Sequence, residues 1–430
     1  MMRVRNTLML RNNPESLRQQ PGQTTRRHFL QVAAGTAAMA SSAAQAGRRP
    51  TQPAMRRILA CAGTYSSPQG PEGWRGRGQG IYVFEMNPAS GVLTQLEVVP
   101  NDANPSCLAL DPSREHLFSA NEVSNFAGGN SGSVSGYAVD RVTGHLTLLN
   151  TVSSEGAGPA HLSVHPSGKY VLVANYMGGN VAVLPIQPGG ELGPATDVVH
   201  HQGVVGSQQP HSAPKGSFAI SGHDQPHAHM IQADAPGRFV FASDLGLDRI
   251  FIWKFDVESG KLTPNNPDSV ALPSGDGPRH FAFHPNGRWF YSLQEEGSTL
   301  VAFDYDASRG RLKEKQTLSS LPKGFAGTNF TSEVMVSADG KFLYAANRLH
   351  DSIAWFPISA TGTLAFGGEE WTRGDYPRSF SIDPTGNFLF CCNQRGDAVT
   401  TFRVHRNTGA LAFTGLYTPI GTPANIVFLA

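Results

Sequence analysis

The chain has 430 residues, a net charge of +1 at pH 7 and only 16% charged residues. Its 40% hydrophobic content is enough for a sizeable core, which excludes wholesale disorder. The near-zero charge gives no general attraction to nucleic acid or to anionic membranes, whereas 47 glycines and 30 prolines indicate many tight turns.

Residues 1–46 predict a cleavable export signal. They hold six arginines and a single acid, Glu15, so the remainder of the chain is mildly acidic. The segment Thr25–Gln31 resembles a twin-arginine signal, an apolar run covers Val32–Ala44, and Ala44–Ala46 fits a small-residue cleavage site. The run is too short to span a bilayer, which needs about 20 apolar residues. We therefore expect export of the folded protein by the twin-arginine machinery, no stable membrane insertion, and a periplasmic or secreted location.

A seven-fold repeat occupies residues 58–430, after a linker at 47–57. Each unit contains a G-x-Leu turn that follows an alternating apolar run such as Ile81–Met86 or Val399–Val404. Units of roughly 45–70 residues with this pattern predict four short antiparallel strands, which is a β-propeller blade. The seven turns are Gly91–Leu93, Gly144–Leu146, Gly190–Leu192, Gly260–Leu262, Gly310–Leu312, Gly362–Leu364 and Gly409–Leu411.

The repeat predicts an all-β fold, a single seven-bladed β-propeller with four antiparallel strands per blade. The first unit lacks the strand that precedes its Leu59–Tyr65 run, and the final segment Asn425–Leu429 has the pattern of that strand. We expect the C-terminal strand to pair into blade one and close the ring. Four cysteines without a metal-binding spacing are interpreted as small core residues: Cys61, Cys107, Cys391 and Cys392.

The turns divide between two faces of the propeller. The H-P-x-G turns, such as His165–Gly168 and His284–Gly287, lie with the G-x-Leu turns on one face, where we expect them to be structural. The blade junctions and the polar pairs that end each second strand lie on the opposite face, around the mouth of the central channel. Within these pairs we expect four side chains to satisfy strand ends: Asn121, Asn175, Asn347 and Asp244.

The mouth gathers carboxylates, imidazoles and guanidiniums, with no serine or cysteine nucleophile motif. Guanidiniums bind carboxylate or phosphate bidentately, a carboxylate or histidine can deprotonate water, and an arginine or histidine can stabilise an oxyanion. Such a mouth suits hydrolysis of an activated ester without a covalent intermediate. The candidate catalytic residues are Glu295, His229, Arg279, His280 and Glu122, and the candidate substrate-binding residues are Arg348, Arg378, His161, Tyr176 and His227.

The junction between blades three and four is unusually long, from about Val199 to Pro226. With His227 and His229 just after it, this region concentrates six of the 15 histidines. An insertion on the mouth face predicts a lid over the channel. One H-x-H pair without a supporting carboxylate pattern is a weak metal signal, so we expect no metal and no cofactor.

Motifs in successive blades resemble the seven-bladed propeller lactonase family, which includes bacterial 6-phosphogluconolactonases and fungal carboxymuconate-lactonising enzymes. The resemblance extends from about Ile58 to the C-terminus. It implies metal-independent chemistry on lactones or their open acids, and the family's mouth residues match His229, Glu122, Glu295, Arg279 and Arg348. The motifs are Gly63-Thr64-Tyr65, Gly80-Ile81-Tyr82, Ala120-Asn121-Glu122, Ala174-Asn175-Tyr176, Pro226-His227-Ala228-His229, Asp244–Arg249, Gly277-Pro278-Arg279-His280 and Ala346-Asn347-Arg348.

One departure from the family bears on the substrate. Members often carry Arg-Gln shortly before the P-H-x-H motif, whereas His223-Asp224-Gln225 stands here. The missing arginine and the export signal both favour a sugar lactone without a phosphate group.

The resulting hypothesis is a lactonase whose ligand is a small sugar lactone. Glu295 or His229 activates water, and Arg279 with His280 stabilises the oxyanion. Arg348 with Arg378 holds an anionic substituent. Two alternatives stay open: a non-catalytic propeller that binds a ligand or partner at the same mouth, and a cyclase or isomerase that runs the lactone chemistry in reverse.

Overall fold

Seven four-stranded antiparallel sheets account for almost all regular structure in the computed structural model, which describes residues 57–68, 75–220 and 222–429. This arrangement confirms the predicted all-β propeller with four strands per blade. The predicted signal at 1–46 and nearly all of the linker lie outside the described residues. Among the described residues, no helix has the length and apolar character needed to cross a membrane.

Blades one to four follow one another along the chain. In each of them the first strand named is the innermost, at the channel, and the last is the outermost. Blade one contains β28 (Pro423–Leu429), β1 (Ile58–Thr64), β2 (Gly80–Met86) and β3 (Leu93–Pro100). Blade two contains β4 (Pro105–Leu110), β5 (His116–Asn121), β6 (Ser133–Val139) and β7 (Leu146–Ser153), with a 3₁₀ turn at Phe126–Gly128. Blade three contains β8 (Pro159–Val164), β9 (Tyr170–Asn175), β10 (Asn180–Pro185) and β11 (Asp197–His200). Blade four contains β12 (Ala228–Ala233), β13 (Phe239–Asp244), β14 (Arg249–Asp256) and β15 (Lys261–Ala271).

Blades five to seven repeat the same order. Blade five contains β16 (Pro278–Phe283), β17 (Trp289–Gln294), β18 (Thr299–Asp306) and β19 (Arg311–Ser319). Blade six contains β20 (Thr331–Val336), β21 (Phe342–Asn347), β22 (Ser352–Pro357) and β23 (Gly368–Trp371). Blade seven contains β24 (Pro377–Ile382), β25 (Phe388–Asn393), β26 (Ala398–Val404) and β27 (Leu411–Pro419).

The C-terminal strand closes the ring, as the sequence predicts. β28 is the innermost strand of blade one and pairs antiparallel with β1, with Cys61 opposite Val427. Ring closure therefore ties the two ends of the propeller domain together through backbone hydrogen bonds.

The core consists of layers between neighbouring blades. Phe241 of blade four packs against Phe290 of blade five, and Phe281 stacks on Phe290 with ring centroids 4.8 Å apart. The adjacent residues Cys391 and Cys392 point to opposite faces of β25, toward blades six and one, because side chains alternate along a strand. Each blade thus buries the apolar face of the next, which a single blade has no means of doing alone.

The turn face has the structural role that the sequence predicts. His165 Nε2 lies 2.9 Å from the carbonyl oxygen of Gly237, and His284 Nε2 lies 2.9 Å from that of Gly340. In both cases the histidine of one H-P-x-G turn contacts the glycine of the next blade's turn. These two histidines bridge neighbouring blades far from the mouth.

The polar residues that end the second strands hold the mouth loops. Asn175 Nδ2 donates to the Ser154 carbonyl at 2.8 Å, and Asn347 Nδ2 donates to that of Ser320 at 3.1 Å. Asp244 accepts the backbone N–H groups of His227 and Leu247. Asn121 likewise donates to two serine hydroxyls. All four residues have the structural role expected of them.

A β-bulge near the start of each innermost strand prepares the site. In blade five Pro278 pairs with Gln294 and His280 with Leu293, so Arg279 has no residue opposite it. Bulges of this kind re-aim a side chain out of the strand ladder. The same irregularity places residues at the channel in five other blades: Ser106, Ala160, His229, Arg378 and Ala424.

Candidate active site

A cavity of about 90 Å³ lies at the channel mouth, and all seven blades contribute to its wall. The bulge residues and those that follow them supply most of the lining. Five predicted site residues line the cavity: His161, His229, Arg279, His280 and Arg378. Five polar residues that the sequence analysis did not select also line it: Tyr65, Ser106, Glu333, Ser379 and Asn425.

Glu295 joins two buried arginines. Its Oε2 lies 2.8 Å from Arg279 Nε and 2.7 Å from Arg348 Nη2, and both arginine side chains are 2% exposed. Arg348 also donates to the Tyr376 hydroxyl at 3.2 Å, and Arg279 donates to the Ser332 carbonyl. A guanidinium is a planar group with several N–H donors, so partners on two sides hold it in one orientation. These contacts therefore fix both guanidiniums in position.

The charge of this group is set by the ion pairs. Burial opposes ionisation of Glu295, but the guanidiniums of Arg348 and Arg279 outweigh it and lower the pKa of Glu295 to about 2. Burial, together with Arg378 and Arg348, lowers the pKa of Arg279 to about 10, so this arginine is still cationic at neutral pH. Glu295 is therefore a firmly ionised carboxylate that holds arginines, which makes it a poor proton acceptor.

Three histidines form a row along the cavity wall. The His280 ring centroid lies 5.4 Å from that of His161 and 5.1 Å from that of His229, both in edge-to-face contact. Burial and the neighbouring Arg279 guanidinium lower the pKa of His229 well below 6.5, and burial also lowers the pKa values of His161 and His280. All three imidazoles are thus neutral at pH 7, and a neutral imidazole can accept a proton.

Glu333 is a carboxylate of the cavity wall that the sequence analysis did not select. Its Oε1 lies 3.0 Å from His280 Nδ1, and its Oε2 accepts a hydrogen bond from the Ser379 hydroxyl at 3.1 Å. No P-x-H motif marks it, because Thr331 stands where blades two, three, five and seven carry proline. The signal that identifies it is register, since Glu333 occupies the position in blade six that His280 occupies in blade five.

Glu122 lies on the opposite side of the ring. It accepts hydrogen bonds from the Tyr65 hydroxyl at 2.8 Å and from the Ser106 hydroxyl at 2.7 Å, and Arg378 Nη2 is 3.9 Å away. Glu122 thus neutralises Arg378 and orients two hydroxyl groups of the cavity wall.

Tyr176 and His227 form a stacked pair next to His229. Their ring centroids are 4.2 Å apart, and the Tyr176 ring meets His229 edge-on at 5.5 Å. His227 also contacts the backbone carbonyl of Tyr176 and the carboxylate of Asp224. The pair therefore supports the wall that carries His229.

Comparison with known proteins identifies the family. The model of the family described as lactonase, 7-bladed beta-propeller, matches residues 60–428. The chain belongs to this family. It is 31% identical over 376 residues to the 6-phosphogluconolactonase of Bacillus subtilis, covering 87% of this chain and 99% of that protein. It is also 31% identical over 339 residues to the 6-phosphogluconolactonase of Formosa agariphila, covering 78% of this chain and 91% of that protein.

A solved structure supports the same assignment. The periplasmic gluconolactonase of Pseudomonas aeruginosa superposes with a TM-score of 0.76 at 30% identity, covering 87% of this chain and 99% of that chain. The resemblance stated from the blade motifs is thereby confirmed.

The long junction of this lactonase forms a strap, residues 201–220 and 222–226, along the mouth loops of blades four to six. It is anchored at its start by His201 Nδ1, 2.7 Å from Asp244, and in its middle by the Ser212 N–H, which donates to Asp276 at 2.8 Å. Near its end, His223 lies 3.2 Å from Asp248 and 3.6 Å from Glu296. The strap lies on the face where the sequence places it, and its action as a lid stays a prediction.

The strap also contacts the site. A Cβ atom added at Gly222 would lie 2.6 Å from the Tyr176 hydroxyl oxygen, so the backbone of the strap packs closely on that side chain.

Within the described ranges, no group of three or more His, Cys, Asp or Glu side chains is placed to hold a metal ion.

Proposed function

We propose that this lactonase hydrolyses a sugar lactone by direct attack of water in the mouth cavity. The observation that carries the proposal is the juxtaposition of neutral His229 and His280 with Arg279, whose guanidinium Glu295 holds in place. A proton acceptor and a fixed cation in one cavity are the two groups that ester hydrolysis needs.

The chemistry assigns a role to each group. A neutral histidine removes a proton from water, and the resulting hydroxide attacks the lactone carbonyl carbon. Arg279 stabilises the negative charge that develops on the carbonyl oxygen. Because Glu295 already holds the Arg279 guanidinium in position, this side chain does not have to move during the reaction. Arg378 and Arg348 attract the carboxylate that forms when the ring opens. In this proposal Glu295 holds the arginines, because its ion pairs with Arg279 and Arg348 lower its pKa to about 2 and make it a weak proton acceptor.

The substrate we propose is an aldonolactone without a phosphate group. The residues just before the P-H-x-H motif include no arginine, and His223 among them lies buried between Asp248 and Glu296, so this segment supplies no guanidinium to a phosphate. The periplasmic gluconolactonase of Pseudomonas aeruginosa, similar along most of its length, supports the same substrate class.

The experiment is proton release from glucono-1,5-lactone, its 6-phosphate and a muconolactone, with and without EDTA, corrected for spontaneous hydrolysis. We expect kcat/KM to be higher for glucono-1,5-lactone than for the other two lactones. In Arg279→Gln we expect kcat/KM to fall by about 100-fold. Arg288→Gln, an exposed arginine of the turn face, is the matched control. If the protein accelerates the hydrolysis of none of these lactones, the proposal is contradicted, and a non-catalytic propeller that binds a ligand or partner becomes the better hypothesis. Lactone formation from an unsaturated acid would instead indicate the cyclase.

We also propose that the protein is exported through the twin-arginine machinery. The support is the Arg26–Arg27 pair followed by the apolar run and the small-residue cleavage site. Fractionation of cells that express the full chain tests this proposal. We expect the wild type in the periplasm or medium and the Arg26→Lys/Arg27→Lys double variant in the cytoplasm. Retention of the wild type in the cytoplasm would contradict it.

A further inference from the structure

We propose that His280 is the histidine that takes the proton from the attacking water, and that Glu333 is the residue that positions it for this step. The inference rests on the proposed lactone hydrolysis. It arises from a hydrogen-bonded pair inside the cavity, His280 Nδ1 to Glu333 Oε1 at 3.0 Å, whose side chains are 11% and 14% exposed.

Glu333 is itself held rigidly. The backbone N–H of Val334 donates to Oε1 at 3.1 Å, and the Ser379 hydroxyl donates to Oε2. Burial opposes ionisation of Glu333, but His280 and Arg279 lower its pKa below the ordinary glutamate value. A carboxylate that is ionised and fixed in this way requires a proton on the His280 nitrogen that faces it. The other ring nitrogen, Nε2, therefore carries a free lone pair.

The hydrogen bonds distinguish His280 from its two neighbours. His161 Nδ1 accepts the backbone N–H of Ile231 at 3.4 Å, which places the His161 proton on Nε2 and leaves no lone pair there. His229 Nδ1 is buried without a hydrogen-bond partner among the described residues, so no contact of that nitrogen selects a tautomer. Of the three histidines, His280 is the one whose orientation and tautomer are set by a carboxylate, as in other histidine bases.

The proposed step conserves protons and bonds. A water proton moves to His280 Nε2 as the water oxygen bonds to the carbonyl carbon, and Arg279 stabilises the oxyanion. The imidazolium that forms on His280 faces the Glu333 carboxylate, which offsets its charge. The bond between the carbonyl carbon and the ring oxygen then breaks, and the proton on Nε2 passes to that oxygen as it becomes a hydroxyl. The new carboxylic acid releases its own proton to solvent.

This assignment changes the role first expected for His280. With its Nδ1 proton committed to Glu333, neutral His280 has no N–H to offer an oxyanion, so oxyanion stabilisation falls to the arginines. His229 is then left to bind the substrate.

The charges around His280 predict a test by pH. The charged or titratable groups that face it come from five blades: His161, His229, Arg279, Glu333 and Arg378. Burial lowers the pKa of His280, Glu333 raises it, and Arg279 and Arg378 lower it. Loss of the Glu333 charge therefore lowers the pKa of His280. The acid limb of kcat/KM, where His280 becomes protonated, moves to lower pH in Glu333→Gln.

The experiment measures pH profiles of lactone hydrolysis for wild type, Glu333→Gln, Glu333→Asp and the control Asp234→Asn. Asp234 is a buried carboxylate of the turn face, outside the mouth, and it accepts a hydrogen bond from the Tyr305 hydroxyl. We expect Glu333→Gln to lower kcat by about 10- to 100-fold and to shift the acid limb downward. Glu333→Asp, which keeps the charge, should retain a limb near that of the wild type. Asp234→Asn should lower the free energy of unfolding and leave the acid limb of kcat/KM at the same pH as in the wild type.

A second measurement is independent of turnover. Proton–nitrogen spectra of ¹⁵N-histidine-labelled protein, assigned with His280→Asn, should show the His280 proton on Nδ1. A proton on Nε2, or an acid limb that stays in place in Glu333→Gln while the wild type hydrolyses lactone, would overturn the inference. An inactive wild type would contradict the proposed function, and the spectrum would still report on the Glu333–His280 pair.

Discussion

Arg279 Nε lies 2.8 Å from Glu295 Oε2 inside the ring of blades. The arginine stands on the bulge of β16, and the glutamate directly follows β17, so a single blade supplies both partners. Arg348 of blade six contacts the same carboxylate oxygen. The pair therefore links the geometry of one blade to that of the next, and it fixes the guanidinium that faces the cavity.

The first prediction concerns this pair. Glu295→Gln removes the charge that compensates two buried guanidiniums, and loss of one partner of a buried ion pair costs about 3–5 kcal/mol. We expect the free energy of unfolding to fall by that order, and kcat/KM to fall with it because Arg279 loses its fixed position. Urea unfolding and lactone kinetics measure the two effects.

The pH dependence of that loss has a defined sign. Because the folded protein lowers the pKa of Glu295 to about 2, its contribution to stability is full above the ordinary glutamate pKa and disappears as the pH falls toward 2. The stability difference between wild type and Glu295→Gln should shrink over that acidic window. A difference that is constant down to pH 2 would contradict the assigned ion pair.

The second prediction concerns the pH dependence of activity. Burial lowers the pKa of His280, the proposed base, so this imidazole becomes protonated only at a pH below 6.5. The acid limb of kcat/KM should therefore have its midpoint below 6.5. Initial rates between pH 4.5 and 7.5, with spontaneous hydrolysis subtracted, determine the midpoint, and a value at or above 6.5 would count against a buried histidine base.

The third prediction concerns the strap. His223→Ala removes the contacts with Asp248 and Glu296 that anchor its end. We expect faster amide hydrogen exchange in residues 206–226 and a KM raised at least about threefold, because the strap packs on Tyr176. Gln208→Ala, at an exposed position of the same strap, is the control. Unchanged exchange and KM in His223→Ala would show that the anchor is dispensable.

The fourth prediction concerns the turn face. His165→Ala removes the contact with Gly237 and the packing of the imidazole on Phe255, whose ring centroid is 4.5 Å away. We expect the free energy of unfolding to fall by about 1–3 kcal/mol. kcat/KM should stay unchanged, because His165 lies on the face opposite the mouth. Thermal unfolding and lactone kinetics on the same preparation test this, and a catalytic defect in a stably folded His165→Ala would refute the division between the faces.

The predictions from sequence succeeded where the signal is local. Gly144–Leu146 and its six equivalents mark turns because glycine suits the left-handed conformation there, with φ of +88° at Gly144. Alternating apolar residues then specify strands, and a strand missing from the first unit implies closure by Asn425–Leu429. These features depend on neighbours in the chain, so the number of blades, the closure and the two faces follow from the amino-acid order.

The composition of the site depends on contacts between blades. The sequence offers Glu295 as one of the candidate bases, and only the structure shows that it contacts two buried arginines. Glu333 lacks a motif, and it becomes visible when blades five and six place it beside His280, 53 residues away. A pKa and a tautomer are set by the few atoms around a group, and in a propeller those atoms come from different blades. The chain order therefore determines the ring and its mouth, and packing between blades decides which mouth residues handle charge and protons.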